Sequence, residues 1–444
     1  MKIGLIPMSG VRIRSEKMTS AGVTLPGFVA RGKVIAALPS LGLISLASYI
    51  PDDHEIRYIE VDGSNADELD FDFDLVVLTS FSAMVFEMYE IADRYRAKGV
   101  KVMIGGLHAT VCPEEAKAHA DAVCIGEGEP LFPQMLADLE RGDFKPYYRE
   151  DHPGSFKLTD CKVPRFDLLV PDNYNRITIQ TQRGCPHVCP FCASTRLFSR
   201  GFRQKPVEMV IRELEEVEKI WPRPFIEFAD DNTFVDKKWG KELLRQLIPH
   251  KIRWFTETDI AIAEDDELIE LLYKSGCEQV LIGFETTSPE VIADADLTGW
   301  KKRKFEKYRT AIDKLQSNGV TVNGCFVMGW DSDDTSVFET IREFSLETNL
   351  LETQVTILTP MPGTETYKKL QMEGRLISDN PWDKCTLFDV TFEPAKMSKS
   401  ELEDGMIYLF NELYQEEIYI RRKRHYMNIV KNLPDAWHEE EVVN

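Results

Sequence analysis

RGCPHVCPFCAS, residues 183–194, places three cysteines within eight residues. Cys185, Cys189 and Cys192 follow a C-x3-C-x2-C spacing, one ligand short of a structural zinc site, which takes four protein ligands. Three thiolates at this spacing hold three irons of a [4Fe–4S] cube and leave the fourth iron to a non-protein ligand. A zinc ion borrowing a fourth ligand, with His187 the nearest candidate, is a second reading. A two-cluster ferredoxin is a third, but its C-x2-C-x2-C-x3-C run needs a second run, and the sequence holds none. The other six cysteines (Cys112, Cys124, Cys161, Cys277, Cys325, Cys385) are scattered, several in apolar runs, and read as buried reduced thiols. The odd total of nine argues against a disulfide scaffold.

The surroundings of the motif set the fold. RITIQTQ precedes it as a strand, and PFIEFAD, RWFTETD, EQVLIGFE, TVNGCFVMG and TQVTILTP follow as further strands with helical patterns between them. In one such helix Val210, Leu214, Val217 and Trp221 step along a single apolar face. In another Phe305, Tyr308, Ile312 and Leu315 do the same, and Gly319 ends it. Six β/α units over residues 176–360 exceed a simple open sheet and fall short of an eight-fold barrel, which predicts a partial (β/α)6 TIM-type barrel. Its open side admits a large substrate or a second domain. Loops at the carboxyl ends of the strands build the active site of such barrels, so the cysteine loop belongs on the catalytic face.

Residues 1–142 repeat the alternation: MKIGLIP, IRYIEVD, DLVVLTS, KVMIGG and AVCIG as strands, LGLISLASYI as a helix. This predicts an α/β, doubly wound, Rossmann-like parallel sheet. Its strands end in glycines, Gly105-Gly106 and then Gly126-Glu127-Gly128-Glu129, where a ligand can approach backbone or where the chain simply turns. No G-x-G-x-x-G occurs, since position 131 is Leu131, so a dinucleotide fingerprint is absent. Residues 143–175, rich in Pro, Asp and Asn, read as a linker. Residues 361–444 read as a helical C-terminal segment, with a helix from Ser398 or Ser400 to Tyr414 and a frayed acidic tail, HEEEVVN.

The formal net charge of −21 disfavours broad contact with nucleic acid. The N-terminal apolar run is too short for a signal peptide, and no run reaches the roughly 18 apolar residues of a membrane span. The expectation is a cytoplasmic protein without a transmembrane segment.

The cysteine motif, with Phe191 before its last cysteine and a six-unit barrel after it, resembles the radical SAM superfamily. GGLHAT (105–110), PEEA (113–116), HADAV (119–123) and GEGE (126–129) are similar to the cobalamin-binding-type N-terminal domain of one branch of it. FADDNTF (228–234), LIGFETTS (281–288), FVMGWD (326–331) and TPMPGTETY (359–367) resemble that branch's barrel strands, and EGRLI (373–377) with Trp382 its C-terminal segment. The resemblance implies a [4Fe–4S] cluster whose open iron binds S-adenosylmethionine, and a 5′-deoxyadenosyl radical from its reductive cleavage. It implies a reducing partner such as flavodoxin or ferredoxin and a small-molecule or lipid substrate. By similarity, Asp230, Asp231 and Asn232 lie where the methionine amino group is held. Thr256 and Glu257 lie where the family often contacts the cofactor, Phe191 packs near adenine, and Glu285 ends the fourth strand towards the same mouth as a candidate catalytic group. Gly105, Gly106, Gly126 and Gly128 are candidate approach points for cobalamin.

One pattern is missing. Many cobalamin domains carry D-x-H-x-x-G, whose histidine ligates cobalt. Here His54 in PDDHEIR lacks the right neighbours and His108 lies in the wrong loop. The domain either binds cobalamin without a protein ligand or is a retained scaffold. The favoured expectation is cobalamin-dependent methylation of an unactivated carbon. The alternatives are cobalamin-free hydrogen abstraction, leading to rearrangement, dehydration or cyclisation, and an iron–sulfur redox sensor.

Overall fold

A computed structural model describes residues 1–23, 38–62, 65–194, 201–296 and 298–433. The acidic tail HEEEVVN lies outside the described residues.

The first sheet contains β1 (Lys2–Pro7), β2 (Glu55–Tyr58), β3 (Leu75–Thr79), β4 (Lys101–Gly105), β5 (Ala122–Ile125) and β6 (Tyr147–Arg149). Its order is β2-β1-β3-β4-β5-β6, parallel throughout. The runs KIGLIP, LVVLT and AVCI are buried nearly end to end, as expected of strands covered on both faces. Strand order reverses between β1 and β3, which opens a crevice beyond their carboxyl ends. The expected linker over 143–175 is corrected at its start. Tyr147–Arg149 pairs with β5 as an edge strand, and only beyond it does the chain become irregular, with three short 3₁₀ turns. Three residues are too few to show a period.

The second sheet is the partial barrel. Its strands are β7 (Ile177–Ile179), β10 (Phe225–Phe228), β11 (Arg253–Thr258), β12 (Cys277–Glu285), β13 (Thr321–Met328) and β14 (Glu352–Ile357), in the order β14-β13-β12-β11-β10-β7. A small antiparallel pair, β8 (Gln182–Arg183) with β9 (Arg203–Gln204), brackets the cysteine loop. Alternation along the strands sorts two faces. Ile226, Trp254, Val280 and Val322 share a row-wise apolar face that packs into the core. Glu227, Glu257, Asn323 and Cys325 fall on the other face, so the barrel interior is polar.

Helices cover the outside as their periodicity requires. Val207–Ile220 buries Val207, Val210, Leu214 and Val217, with Trp221 at its end, and Tyr308–Ser317 buries Tyr308, Ile312 and Leu315 before Gly319. Phe305 falls in a 3₁₀ turn just ahead of that helix. Lys399–Tyr414 starts at Ser398, whose hydroxyl accepts from Glu401 N while the Glu401 side chain returns to Ser398 N, a capping box. A second helix, Glu416–Val430, follows it and reaches the amino ends of the barrel strands, where Arg422 donates to Leu350 O and Tyr426 to Gly319 O.

Candidate active site

The cysteine loop leaves β7 and is fastened by three consecutive residues at the end of β10. Asp230 is fully buried and accepts from Thr181 N (2.8 Å), Gln182 N (3.0 Å), Thr181 Oγ1 (2.6 Å) and Thr233 Oγ1 (3.0 Å). Asp231 accepts from Gly184 N (2.9 Å) and from the Ser194 hydroxyl, so it ties both ends of the motif together. Asn232 donates to Asp259 Oδ2 (2.8 Å) and, at 3.9 Å, towards Cys185 Sγ, while its own carbonyl accepts from the Gln182 amide. Each side chain therefore grips a different part of the loop.

This revises the expected role of Asp230. Its acceptor sites are taken by protein donors and it is closed off from the mouth. Burial pushes its carboxyl up to about 6 against those four donors, which still leaves it ionised at neutral pH. Thr256 is revised likewise: it is fully buried on the apolar side of β11 and bonds Thr233 and Phe228 O. Glu257, the next residue, points the other way. Its carboxylate is open to the barrel interior and makes no hydrogen bond or ion pair among the described residues, while its backbone carbonyl accepts from Thr233 N at 3.1 Å. Enclosure by the barrel wall, then the carboxylates of Glu227, Asp231, Asp230 and Glu285, raise it to about 8.

Glu285 breaks the alternation that the sequence reading relied on. The register of β12 against β13 shifts between Gly283 and Glu285, and Glu285 takes φ of 67°. Such a left-handed conformation costs a non-glycine residue about 1–3 kcal/mol and is retained where surrounding structure imposes it. The bulge brings its carboxylate to 2.8 Å from Lys301 Nζ, which also donates to Gly283 O at 2.6 Å. Lys301 is buried and acts on the Cys189 thiol, opposing the burial that pushes that thiol up to about 12. Sequence reasoning missed Lys301, because it lies inside a run of charges, WKKRK, that looks like an ordinary solvated face.

The thiols fit a cluster in chemistry. Cys189 lies in the field of both Cys192 and Cys185, an amide is aimed at Cys185, and a buried cation stands beside Cys189. Among the described residues no three His, Cys, Asp or Glu side chains converge on a single-ion site. His187 is held elsewhere: its Nε2 meets Asp259 Oδ2 at 3.0 Å and its ring lies 4.4 Å from Trp300. Phe191 sits half-buried with its ring 5.3 Å from Trp330, which follows β13.

The four glycines of the first sheet are also revised. Gly106 and Gly126 have φ of 103° and 101°, and a Cβ there would stand 2.5 Å from Thr79 Oγ1 and 2.7 Å from Glu150 Oε2. A Cβ on Gly128 would stand 2.9 Å from Leu46, and one on Gly105 would touch Cys124 at 3.4 Å. At Gly106 and Gly126 the positive φ and the close side chains require glycine whatever binds nearby, whereas the contact at Gly105 is ordinary and that at Gly128 is with the end of a flexible leucine. The GEGE stretch also holds a pair of buried, ion-paired carboxylates that the sequence reading passed over. Glu127 accepts from Arg183 Nη1 (2.6 Å) and Arg203 Nη1 (2.8 Å), and Glu129 accepts from Arg183 Nη2. Arg183 is the first residue of the cysteine stretch. The carboxyl end of β5 and the cluster loop are thus joined directly, edge to edge.

Residues 179–344 match the radical SAM superfamily. That stretch, the partial barrel, is a radical SAM domain. Residues 29–136 match the B12 binding domain, and residues 364–442 match a domain of unknown function, DUF4070. Bacteriochlorophyllide d C-12(1)-methyltransferase of Chlorobaculum tepidum is 26% identical over 395 residues, covering 86% of this chain and 84% of its own. The hopanoid C-2 methylase of Rhodopseudomonas palustris is 25% identical over 363 residues, covering 78% and 67%. Among solved structures, the radical S-adenosylmethionine methyltransferase TsrM from Kitasatospora setae superposes with a TM-score of 0.65 at 15% identity, over 94% of this chain and 86% of that one. The cobalamin-dependent enzyme OxsB gives 0.68 at 13% identity, over 96% and 71%. These two share the fold: a six-stranded doubly wound sheet joined to a partial barrel. No helix among the described residues is long and apolar enough to cross a membrane.

Proposed function

We propose that this radical SAM protein is a cobalamin-dependent methyltransferase acting on an unactivated carbon of a small molecule or lipid. The observation that carries the reading is the Arg183 junction. It sets the carboxyl edge of the B12-type sheet against the loop that holds Cys185, Cys189 and Cys192. When bound, the cluster and S-adenosylmethionine supply a 5′-deoxyadenosyl radical, and cobalamin supplies the methyl carrier. The chain's own part is to hold these groups, orient them across one shared mouth and keep water out.

Cobalamin fits the crevice where strand order reverses. Phe81, just past the carboxyl end of β3, is 64% exposed among the described residues. The loops after β1 and β3, including Ser9, Gly10 and Phe81, would hold the corrin there. His108 is not available to cobalt: it is buried, with Nδ1 2.9 Å from Ser82 Oγ and Nε2 3.2 Å from Glu115 Oε1, and edge-on to Trp382. The relatives named as methyltransferases and a methylase support methyl transfer, and their substrates, a bacteriochlorophyllide and a hopanoid, support an organic small molecule or lipid.

Anaerobic reconstitution with iron, sulfide and cobalamin tests the reading. The expected outcome is one cobalt per chain after gel filtration, formation of 5′-deoxyadenosine, and a cob(II)alamin spin-resonance signal without nitrogen splitting from a protein ligand. Protein that yields 5′-deoxyadenosine while retaining no cobalt would overturn methyl transfer through cobalamin and leave cobalamin-free hydrogen abstraction.

A further inference from the structure

In a chain of formal net charge −21, residues 300–309 read WKKRKFEKYR, six cations against one acid. Such a run is ordinarily a solvated helix face. Its position here is unusual, because it lies on the cluster loop. Trp300 packs on His187 at a ring distance of 4.4 Å, and the buried Lys301 lies within electrostatic reach of Cys189. Three of the outer cations are matched by acids of neighbouring elements: Lys304 and Lys307 share Glu264, at 2.7 Å and 2.9 Å, and Arg309 meets Glu347 at 2.6 Å. Lys302 and Arg303 are exposed and make no ion pair among the described residues. Beside them the tip of the cysteine loop is open: Pro186 is exposed and Val188 is 38% exposed. The cysteine loop thus presents an exposed apolar tip, and the helix that packs on it through Trp300 carries two exposed cations without an ion pair among the described residues.

We infer that this face, Val188 and Trp300 with Lys302 and Arg303, is the docking surface for an acidic one-electron carrier protein. The inference rests on the reading of Cys185, Cys189 and Cys192 as the cluster loop. Reductive cleavage of S-adenosylmethionine consumes one electron, and no group on the described chain supplies it. At this face one electron passes from the reduced carrier, which is oxidised by one, to the cluster, which is reduced by one. No bond is made or broken in the step. Local charge complementarity orients the encounter against the repulsion of the acidic chain as a whole. The apolar tip provides the short, poorly hydrated contact that weak redox encounters use.

The test uses the reconstituted full chain, with reduced flavodoxin as the carrier and dithionite as a reductant that needs no protein contact. Cluster reduction is followed by bleaching of its visible absorption. With wild type, the flavodoxin-driven rate should fall steeply as salt rises. A Lys302→Glu/Arg303→Glu double variant should be slower by about tenfold at low ionic strength and nearly insensitive to salt. Its rate with dithionite should equal that of wild type, which shows the cluster itself is intact. Equal flavodoxin rates and equal salt slopes in variant and wild type would overturn the docking surface. If dithionite reduces no cluster even in wild type, the cluster reading fails, and this inference falls with it.

Discussion

Asp230, Asp231 and Asn232 are adjacent in the chain, yet their side chains answer to different demands, and substitution should separate them. Removing the Asp230 carboxylate leaves two backbone N–H groups, Thr181 and Gln182, without their acceptor inside the protein. Asp230→Ala should therefore lower unfolding free energy by about 2–4 kcal/mol, read by denaturant titration of the apoprotein. Asp231→Ala should leave that stability nearly unchanged and weaken cluster retention about tenfold or more, as loss of an outer-shell anchor does, read as iron and sulfide per chain. An Asp230→Ala protein of normal stability that no longer binds S-adenosylmethionine would return this residue to the cofactor. Alanine at Cys185, Cys189 or Cys192 should abolish the cluster, whereas alanine at the buried Cys277 should leave iron content intact. A cluster retained by the triple cysteine variant would contradict the assignment. The thiols were legible because their spacing is local. That Asp230 is spent on the loop's own donors was not, because it depends on which donors the folded loop brings near.

The strands themselves were legible from their apolar runs, since a parallel sheet buried on both faces admits little else. Tyr147–Arg149 and the two-residue pair β8–β9 were not, being short segments whose identity comes only from a partner distant in sequence. The bulge before Glu285 was hidden for the same reason, and with it the pairing of that carboxylate with Lys301. Alternation does hold on β10 and β11, and it places Glu227 and Glu257 on the interior wall. The raised carboxyl of Glu257 gives this wall a pH signature. With its pKa near 8 in the empty protein, Glu257 is largely neutral at pH 7 and ionised at pH 9. On the proposal that Glu257 faces S-adenosylmethionine, the fixed positive sulfonium favours its ionised form, and Glu257 gives up its proton on binding; the ligand's own amino group titrates in the same window, at about pH 8, so the wild-type rise is read against that of Glu257→Gln. The ligand's affinity should rise between pH 7 and 9, by at most about tenfold per pH unit, and level off above. Calorimetry under anaerobic conditions at both pH values reads this directly. In Glu257→Gln the rise should be smaller than in wild type, and an equal rise there would place the titrating group elsewhere, on the ligand included.

Across the whole molecule, the two sheets share one apolar core cluster and are joined by a buried ionic junction. Arg183 and Arg203 meet Glu127 and Glu129 with little exposure on any of the four side chains. The C-terminal segment adds two clasps: Asp389 accepts from Arg14 N and Ser15 N after β1, and Trp382 Nε1 donates to Glu115 at 3.0 Å. The match of GEGE and Trp382 to a family pattern signalled that these stretches matter, but only the assembled chain shows that they meet partners far away in sequence. The arginine junction should behave as a buried charge cluster and not as surface pairs. Arg183→Met leaves Glu127 and Glu129 short of a partner in a place water barely reaches, which costs about 3–5 kcal/mol. High salt should do little to the wild-type junction, since buried pairs are poorly screened. The expected consequence is specific: the irregular 151–175 stretch becomes cleavable in limited proteolysis, and cobalt is lost from the reconstituted protein before iron is. Replacing Glu129 as well, in Arg183→Met/Glu129→Met, removes one of the stranded carboxylates and should recover part of the stability. A double-mutant cycle on unfolding free energy reads that recovery as a coupling term. A cycle that closes with no coupling would mean that Arg183 serves the cysteine loop alone and that the two sheets are held together by other contacts.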